Sequence, residues 1–213
     1  MSELNFQIVS ARPERHAAVP TLMFALKIEE TTGIDIHNIA LRCQIRIEPI
    51  RRQYSREEES RLAELFGETP RWGDTMKPFL WTHLSATIPG FRGKTEVELP
   101  VACTYDFEIA AAKYLHSLES GEIPLLMMFS GSVFEKGERG MQVSQIPWSK
   151  ESTYRLPVRV WREMIDHYFP NSGWLRLNRE TLSDLLKFKS RRALATWDEV
   201  IETLLLDSRE AQP

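Results

Sequence analysis

The sequence predicts an α+β fold: mainly an antiparallel β-sandwich, with an inserted helix and about three C-terminal helices packed on it. Three observations predict it. Leu41, Cys43, Ile45 and Ile47 alternate with Arg42, Gln44, Arg46 and Glu48, giving a strand with one apolar and one charged face. Runs of the same period recur through the first two-thirds of the chain with turn residues between them, as short strands of a sandwich do. After Arg155 the period changes to that of a helix, with Val158, Trp161, Ile165, Tyr168 and Phe169 at helical spacing.

Each element follows from its local pattern. Leu4, Phe6 and Ile8 alternate with Asn5 and Gln7. Leu22, Phe24, Leu26 and Ile28 alternate down Thr21–Glu30, and Thr31-Thr32-Gly33 turns the chain into the strand Ile39–Pro49, so the two runs read as an antiparallel pair. Ser55 and Glu58 have capping-box spacing, which starts a helix over about 55–66 that carries Leu62, Leu65 and Phe66 and stops at Gly67. Glu68–Pro78, with Pro70, Gly73 and Pro78, reads as a loop. Strands resume at Phe79–Ile88, Thr95–Leu99 and Cys103–Ile109. Ala110–Leu118 suits either a strand or, by its alanines, a helix, and a long strand or a strand ending in a helical turn is preferred. Ile123–Phe134 is apolar on both faces from Leu125 to Phe129, as in a central strand covered on both sides, and Met141–Ile146 follows it. Pro157 opens the first C-terminal helix, Asn178 caps a second with Leu182, Leu185 and Leu186, and Thr196 with Glu199 caps a third. The expected organisation is a sandwich over residues 1–156 and helices over 157–213 in the same domain.

Composition bounds function. The chain has 213 residues, 42% of them hydrophobic and 27% charged, enough apolar material for a core without staples. Its net charge of −3 is not segregated along the chain and argues against nucleic acid as a partner. No basic, apolar leader opens the sequence, and the longest apolar run, Ile123–Phe129, is too short for a bilayer, so neither export nor membrane insertion is expected. Cys43 and Cys103 read as free buried thiols in a reducing compartment, which points to a cytoplasmic location.

Chemistry-bearing patterns are sparse. The histidines His16, His37, His83, His116 and His167 lack metal-site spacing. Ser130-Gly131-Ser132 is not a nucleophile elbow, and no phosphate-binding glycine loop occurs. No cofactor, metal ligand or catalytic residue is therefore expected, and the chain reads as a non-catalytic binding or accessory protein with a protein partner. The candidate partner surface comprises the aromatic residues Trp72, Phe79, Trp81, Trp148 and Trp174 and the basic strand positions Arg42 and Arg46. A second reading is an enzyme or small-ligand carrier whose pocket, between sandwich and C-terminal helices, holds His83, Cys103, Asp106 and His116. A third is a chaperone-like protein with an apolar groove.

The runs Arg42–Pro49, Leu65-Phe66-Gly67 with Arg71-Trp72-Gly73-Asp74, Thr104–Glu108, Phe129-Ser130-Gly131 and Tyr168–Trp174 resemble those of an uncharacterised bacterial family of unknown function. Its members are similar over nearly the whole chain and are often encoded near nickel–iron hydrogenase genes. The resemblance implies a cytoplasmic bacterial protein with an accessory role in hydrogenase assembly or activity, and a hydrogenase component as its partner. The family has no established catalytic residues, so none carry over.

Overall fold

The computed structural model describes residues 2–104, 109–137, 140–172 and 176–210. The described elements in chain order are β1 (Leu4–Glu14), β2 (Thr21–Glu30), β3 (Ile36–Ile47), α1 (Arg56–Phe66), α2 (Trp72–Thr75), β4 (Phe79–Phe91), β5 (Lys94–Ala102), α3 (Ala110–Ser117), β6 (Glu122–Gly137), β7 (Gly140–Gln145), β8 (Glu151–Pro157), α4 (Val158–Tyr168), α5 (Arg179–Arg191) and α6 (Trp197–Glu210). They form two compact units, Met1–Trp174 and Leu175–Pro213.

The first unit holds both sheets and α1–α4. A three-stranded antiparallel sheet runs β1-β2-β5, and a five-stranded one runs β4-β3-β6, with β7 and β8 both on the far edge of β6. Alternation decides which side chains meet between them. Leu22, Phe24, Leu26 and Ile28 from β2 bury against Leu41, Cys43, Ile45 and Ile47 from β3 and Ile123, Leu125, Met127 and Phe129 from β6 in one core. Phe6 stacks on Phe129 with ring centroids 4.6 Å apart, tying the two layers together. The sandwich closes at its sides, because β4 lies against β5 and the Ile8 N–H on β1 donates to Ser152 Oγ on β8 at 3.2 Å.

The helices of this unit occupy the ends of the sheets. Ser55 caps α1 through the expected capping box, accepting from the Glu58 N–H while Glu58 accepts from the Ser55 N–H. Tyr114 on α3 sits in an aromatic cluster with Tyr54, Phe66 and Phe79. The α4 helix buries Val158, Trp161, Met164 and Ile165 and lies against β1, β2 and β8. In the second unit, Asn178 caps α5 by accepting from the Thr181 N–H at 2.8 Å. The chain leaves α5 through Ala193 at φ +52°, and Thr196 and Glu199 cap α6 reciprocally.

Several expectations are corrected. Residues 110–117 are helix, because the three alanines favour it and Tyr114 and Leu115 then reach the core together. Cys103 and Thr104 are not strand, and Tyr105–Glu108 lie outside the described residues. Within the expected loop 68–78, a 3-10 turn and the short helix α2 form, and Trp72 is buried there. The unforeseen strand is β8, whose Ser152, Tyr154 and Leu156 turn inward while Glu151, Thr153 and Arg155 stay exposed. The far face of β6 is less buried than the expected central strand: Leu126, Met128, Ser130 and Ser132 alternate with the buried set and remain partly or fully exposed.

Gly131 sets the geometry of β6. It lies at φ +130°, and a Cβ there would come within 2.0 Å of the Ala40 carbonyl oxygen on β3. On one side of it β6 pairs with β8, ending at Met128 opposite Glu151. On the other it pairs with β7, starting at Ser132 opposite Gln145. We predict that Gly131→Ala lowers stability by about 3 kcal/mol through clash and strain. Chemical denaturation would check this, and a wild-type midpoint would refute the role given to Gly131.

Candidate protein-docking face and its supports

The β6 strand builds the most distinctive surface. The loop from β7 to β8 is held at both ends: the Ile146 N–H donates to Gly131 O at 2.9 Å, and the Phe129 N–H donates to Lys150 O at 2.9 Å. A turn closed by the Lys150 N–H on Pro147 O, at 3.0 Å, puts Trp148 at the tip. Trp148 is 92% exposed. A ring this exposed contributes nothing to the core, and its loop is too firmly anchored for the exposure to reflect a loose chain.

Beside this loop lies the wet face of the five-stranded sheet. Residues opposite one another on neighbouring strands share a face. Arg42 is opposite Ser85 and Ser130, Gln44 opposite His83 and Met128, and Arg46 opposite Leu80 and Leu126. Phe134 is opposite Val143, and Lys136 opposite Met141. Met141, Val143 and Leu80 are exposed. The face thus combines two arginines with scattered apolar side chains.

The other predicted surface residues are distributed differently. Trp72 is only 7% exposed, and its Nε1–H donates to Gly67 O at 2.9 Å, so the ring fills the end of the core. Phe79 packs against Phe66 and Tyr114, and Trp81 meets Phe24 edge-on in the inter-sheet core. Trp174 lies outside the described residues. Of the surface set, the structure places Arg42 and Arg46 on the wet face and Trp148 on its edge.

The residues expected around a pocket are also spread out. His83 is exposed on the wet face opposite Gln44, and Asp106 lies outside the described residues. Cys43 and Cys103 are free buried thiols. Burial pushes both up to about 12, which makes them poor nucleophiles near neutral pH. His116 on α3 stands edge-on to Trp161 at 4.6 Å, and burial, helped by Arg162, lowers its pKa from 6.5 to about 4. Among the described residues, no three His, Cys, Asp or Glu side chains converge as a metal site.

Two open clefts flank the Gly121 turn. One, of about 670 Å³, is lined by Ile50, Arg51, Arg52, Gln53, Gly121, Glu122 and Arg155. The other, of about 660 Å³, includes Glu119, Arg159, Arg162 and Asp166 in its wall. Arg51, Arg52 and Arg162 are engaged with the protein itself. Arg51 pairs with Glu48 at 3.0 Å, and Arg162 donates to Leu118 O at 2.8 Å. Arg52 donates to both carboxylate oxygens of Glu58 at 2.8 Å and to Ser120 O at 3.2 Å.

Arg52 and Glu58 form a buried pair that composition could not reveal. Burial alone would raise the Glu58 pKa, but the backbone N–H groups of Glu119 and Ser55, together with Arg52, hold it below the usual carboxylate range. Tyr54 lies under the Arg52 guanidinium at 4.8 Å and shares a hydrogen bond of 2.9 Å with Tyr114. Burial raises the Tyr54 pKa to about 12 and pushes Tyr114 higher still, so neither phenol exchanges protons near neutrality. The cluster is a polar joint between the β3–α1 connection, α3 and the start of β6.

The model of a family of unknown function, DUF6084, matches residues 1–213. The chain belongs to the DUF6084 family. No curated protein matches this DUF6084 chain. Among solved structures, the CARDB domain of a Pyrococcus furiosus protein, in complex with di-metal ions, is similar over 73% of this chain and 92% of that one, at 8% identity and a TM-score of 0.29. A selenomethionine-labelled β-glucosidase from Kluyveromyces marxianus is similar over 72% of this chain and 15% of that one, at 9% identity and a TM-score of 0.24. β-Glucosidase 3B from Thermotoga neapolitana in complex with α-D-glucose gives 72%, 17%, 9% and 0.26 for the same quantities. Likenesses this distant carry no functional conclusion for the DUF6084 chain.

Arg52→Ala leaves Glu58 buried without its cation and should cost about 3 to 5 kcal/mol, read as a lowered urea midpoint. The pH dependence has two windows. His116 is neutral in the folded chain where the unfolded chain binds a proton, so stability should fall as pH drops from 6.5 to about 4. Glu58 stays ionised in the folded chain below its ordinary value of 4.5, so its contribution is present above that value and is lost as pH falls further. Thermal melts of His116→Gln should flatten the first window and leave the second. An unchanged slope in the first window would contradict the assignment to His116.

Proposed function

We propose that this protein is a non-catalytic binding or accessory protein that docks a protein partner on the wet face of the five-stranded sheet, anchored by Trp148. The supporting observation is the 92% exposure of Trp148 on a loop fixed at both ends to β6. A rigidly displayed indole costs little entropy to dock and buries a large apolar area in a complementary pocket. The neighbouring Arg42 and Arg46 supply donors for acidic groups at the rim.

The bacterial family resemblance, with its genes near those of nickel–iron hydrogenases, makes a hydrogenase component in the cytoplasm the first partner to test. None of the helices among the described residues is long and apolar enough to cross a membrane. The test is binding of purified wild-type and Trp148→Ala protein to isolated hydrogenase subunits and maturation factors by calorimetry. Trp148→Ala should leave the unfolding free energy within about 0.5 kcal/mol of wild type. It should weaken partner binding by about thirtyfold, the hot-spot range. Equal binding by the two proteins would remove Trp148 as the anchor. Binding to none of the hydrogenase components would remove the proposed partner.

A further inference from the structure

The free edge of β7 carries a second inference, separate from the partner read for Trp148. Among the described residues β7 pairs with β6 alone, whereas β8, on the same edge of β6, is bonded to β1 through Ser152. The direction of the β7 backbone groups follows from one hydrogen bond. The Ile146 N–H points at Gly131 O on β6, at 2.9 Å. In an antiparallel ladder alternate residues share that direction, so Ser144, Gln142 and Gly140 also face β6. The N–H and C=O groups of Met141, Val143 and Gln145 then point away from it.

We infer that the β7 edge is a pairing site for the β7 edge of a second copy of this chain, joined antiparallel about a two-fold axis at Val143. An edge of this kind is matched best by another strand, because a strand repeats donors and acceptors at the same spacing. The register is self-complementary. Placing Val143 opposite its own copy puts Met141 opposite Gln145, and each outward donor and acceptor then meets one. Charge permits it as well. Gly140–Gln145 contains no charged residue, so two copies bring no like charges together. Natural sheets usually protect free edges with lysine, proline or a bulge, and β7 has none of these. Met141 and Val143 are 68% and 52% exposed. On the wet face, Val143 would meet its copy and Met141 would meet Gln145. The two wet faces would join side by side into one platform carrying two Trp148 loops.

The ladder is short, so the dimer should be weak and concentration-dependent. Sedimentation equilibrium on the full chain should show a shift with concentration from 24.7 kDa toward twice that mass. Val143→Pro removes an outward N–H and leaves the β6 ladder intact, and should raise the dimer dissociation constant at least about tenfold. Val143→Lys, at an exposed position, places two ammonium groups against each other and should do the same with an unchanged melting temperature. Val143→Cys should be captured as a dimer by a short thiol-reactive crosslinker, since the native cysteines are buried. A monomer at every concentration, or a dimer indifferent to both Val143→Pro and Val143→Lys, would overturn the inference. Neither result bears on Trp148, whose partner binding is measured separately.

Discussion

The backbone at Gly131 is the constraint on which the distinctive surface depends. The β6 strand takes β3 along one edge and must accept two strands in succession along the other. The exchange occurs where β6 approaches β3 so closely that a Cβ would strike the Ala40 carbonyl. Only glycine accepts both that contact and φ +130°. The chain between the two partner strands has to project from the edge at this point, and that projection is the Trp148 loop. The same exchange separates β8, bonded to β1, from β7, which pairs with β6 alone. The Trp148 loop and the change of partner strand along β6 thus sit at one local backbone requirement.

The buried pair of Arg52 and Glu58 plays the complementary part at the helical end. Glu58 serves at once as the capping-box residue of α1, as acceptor for the Glu119 N–H and as counter-ion of Arg52. One carboxylate thus fixes the start of a helix, the turn before β6 and the connection after β3. Removing either partner strands a charge in the interior, which costs far more than an exposed pair could contribute. The joint holds α1 and α3 over the aromatic cluster of Tyr54, Phe66, Phe79 and Tyr114.

How much was legible from the sequence differs by residue. The alternation of β2 and β3 and the capping boxes at Ser55 and Thr196 act over a few residues, so sequence spacing reads them directly. Residues 110–117 are harder, because the run Ala-Ala-Ala-Lys-Tyr-Leu follows alternating residues and favours a helix only by propensity until Tyr114 has a cluster to enter. The strand β8 is hard to read although Tyr154 and Leu156 alternate with Thr153 and Arg155, because its inward face carries only those two apolar residues beside Ser152. Trp72 and Trp148 are both tryptophans next to turn residues. Nothing local tells that one donates to Gly67 O in the core while the other stands in solvent.

The sequence by itself determined the class of the fold, the faces of its principal strands and the helix starts, since period and capping are properties of short segments. It also raised Trp148, Arg42 and Arg46 as surface candidates. The tertiary structure decided which partner each strand takes, that one face of β6 stays wet, that Arg52 and Glu58 meet, and that β7 keeps a free edge. These are contacts between segments far apart in the chain. They are settled by which surfaces remain after the core has closed, and no local pattern encodes that remainder.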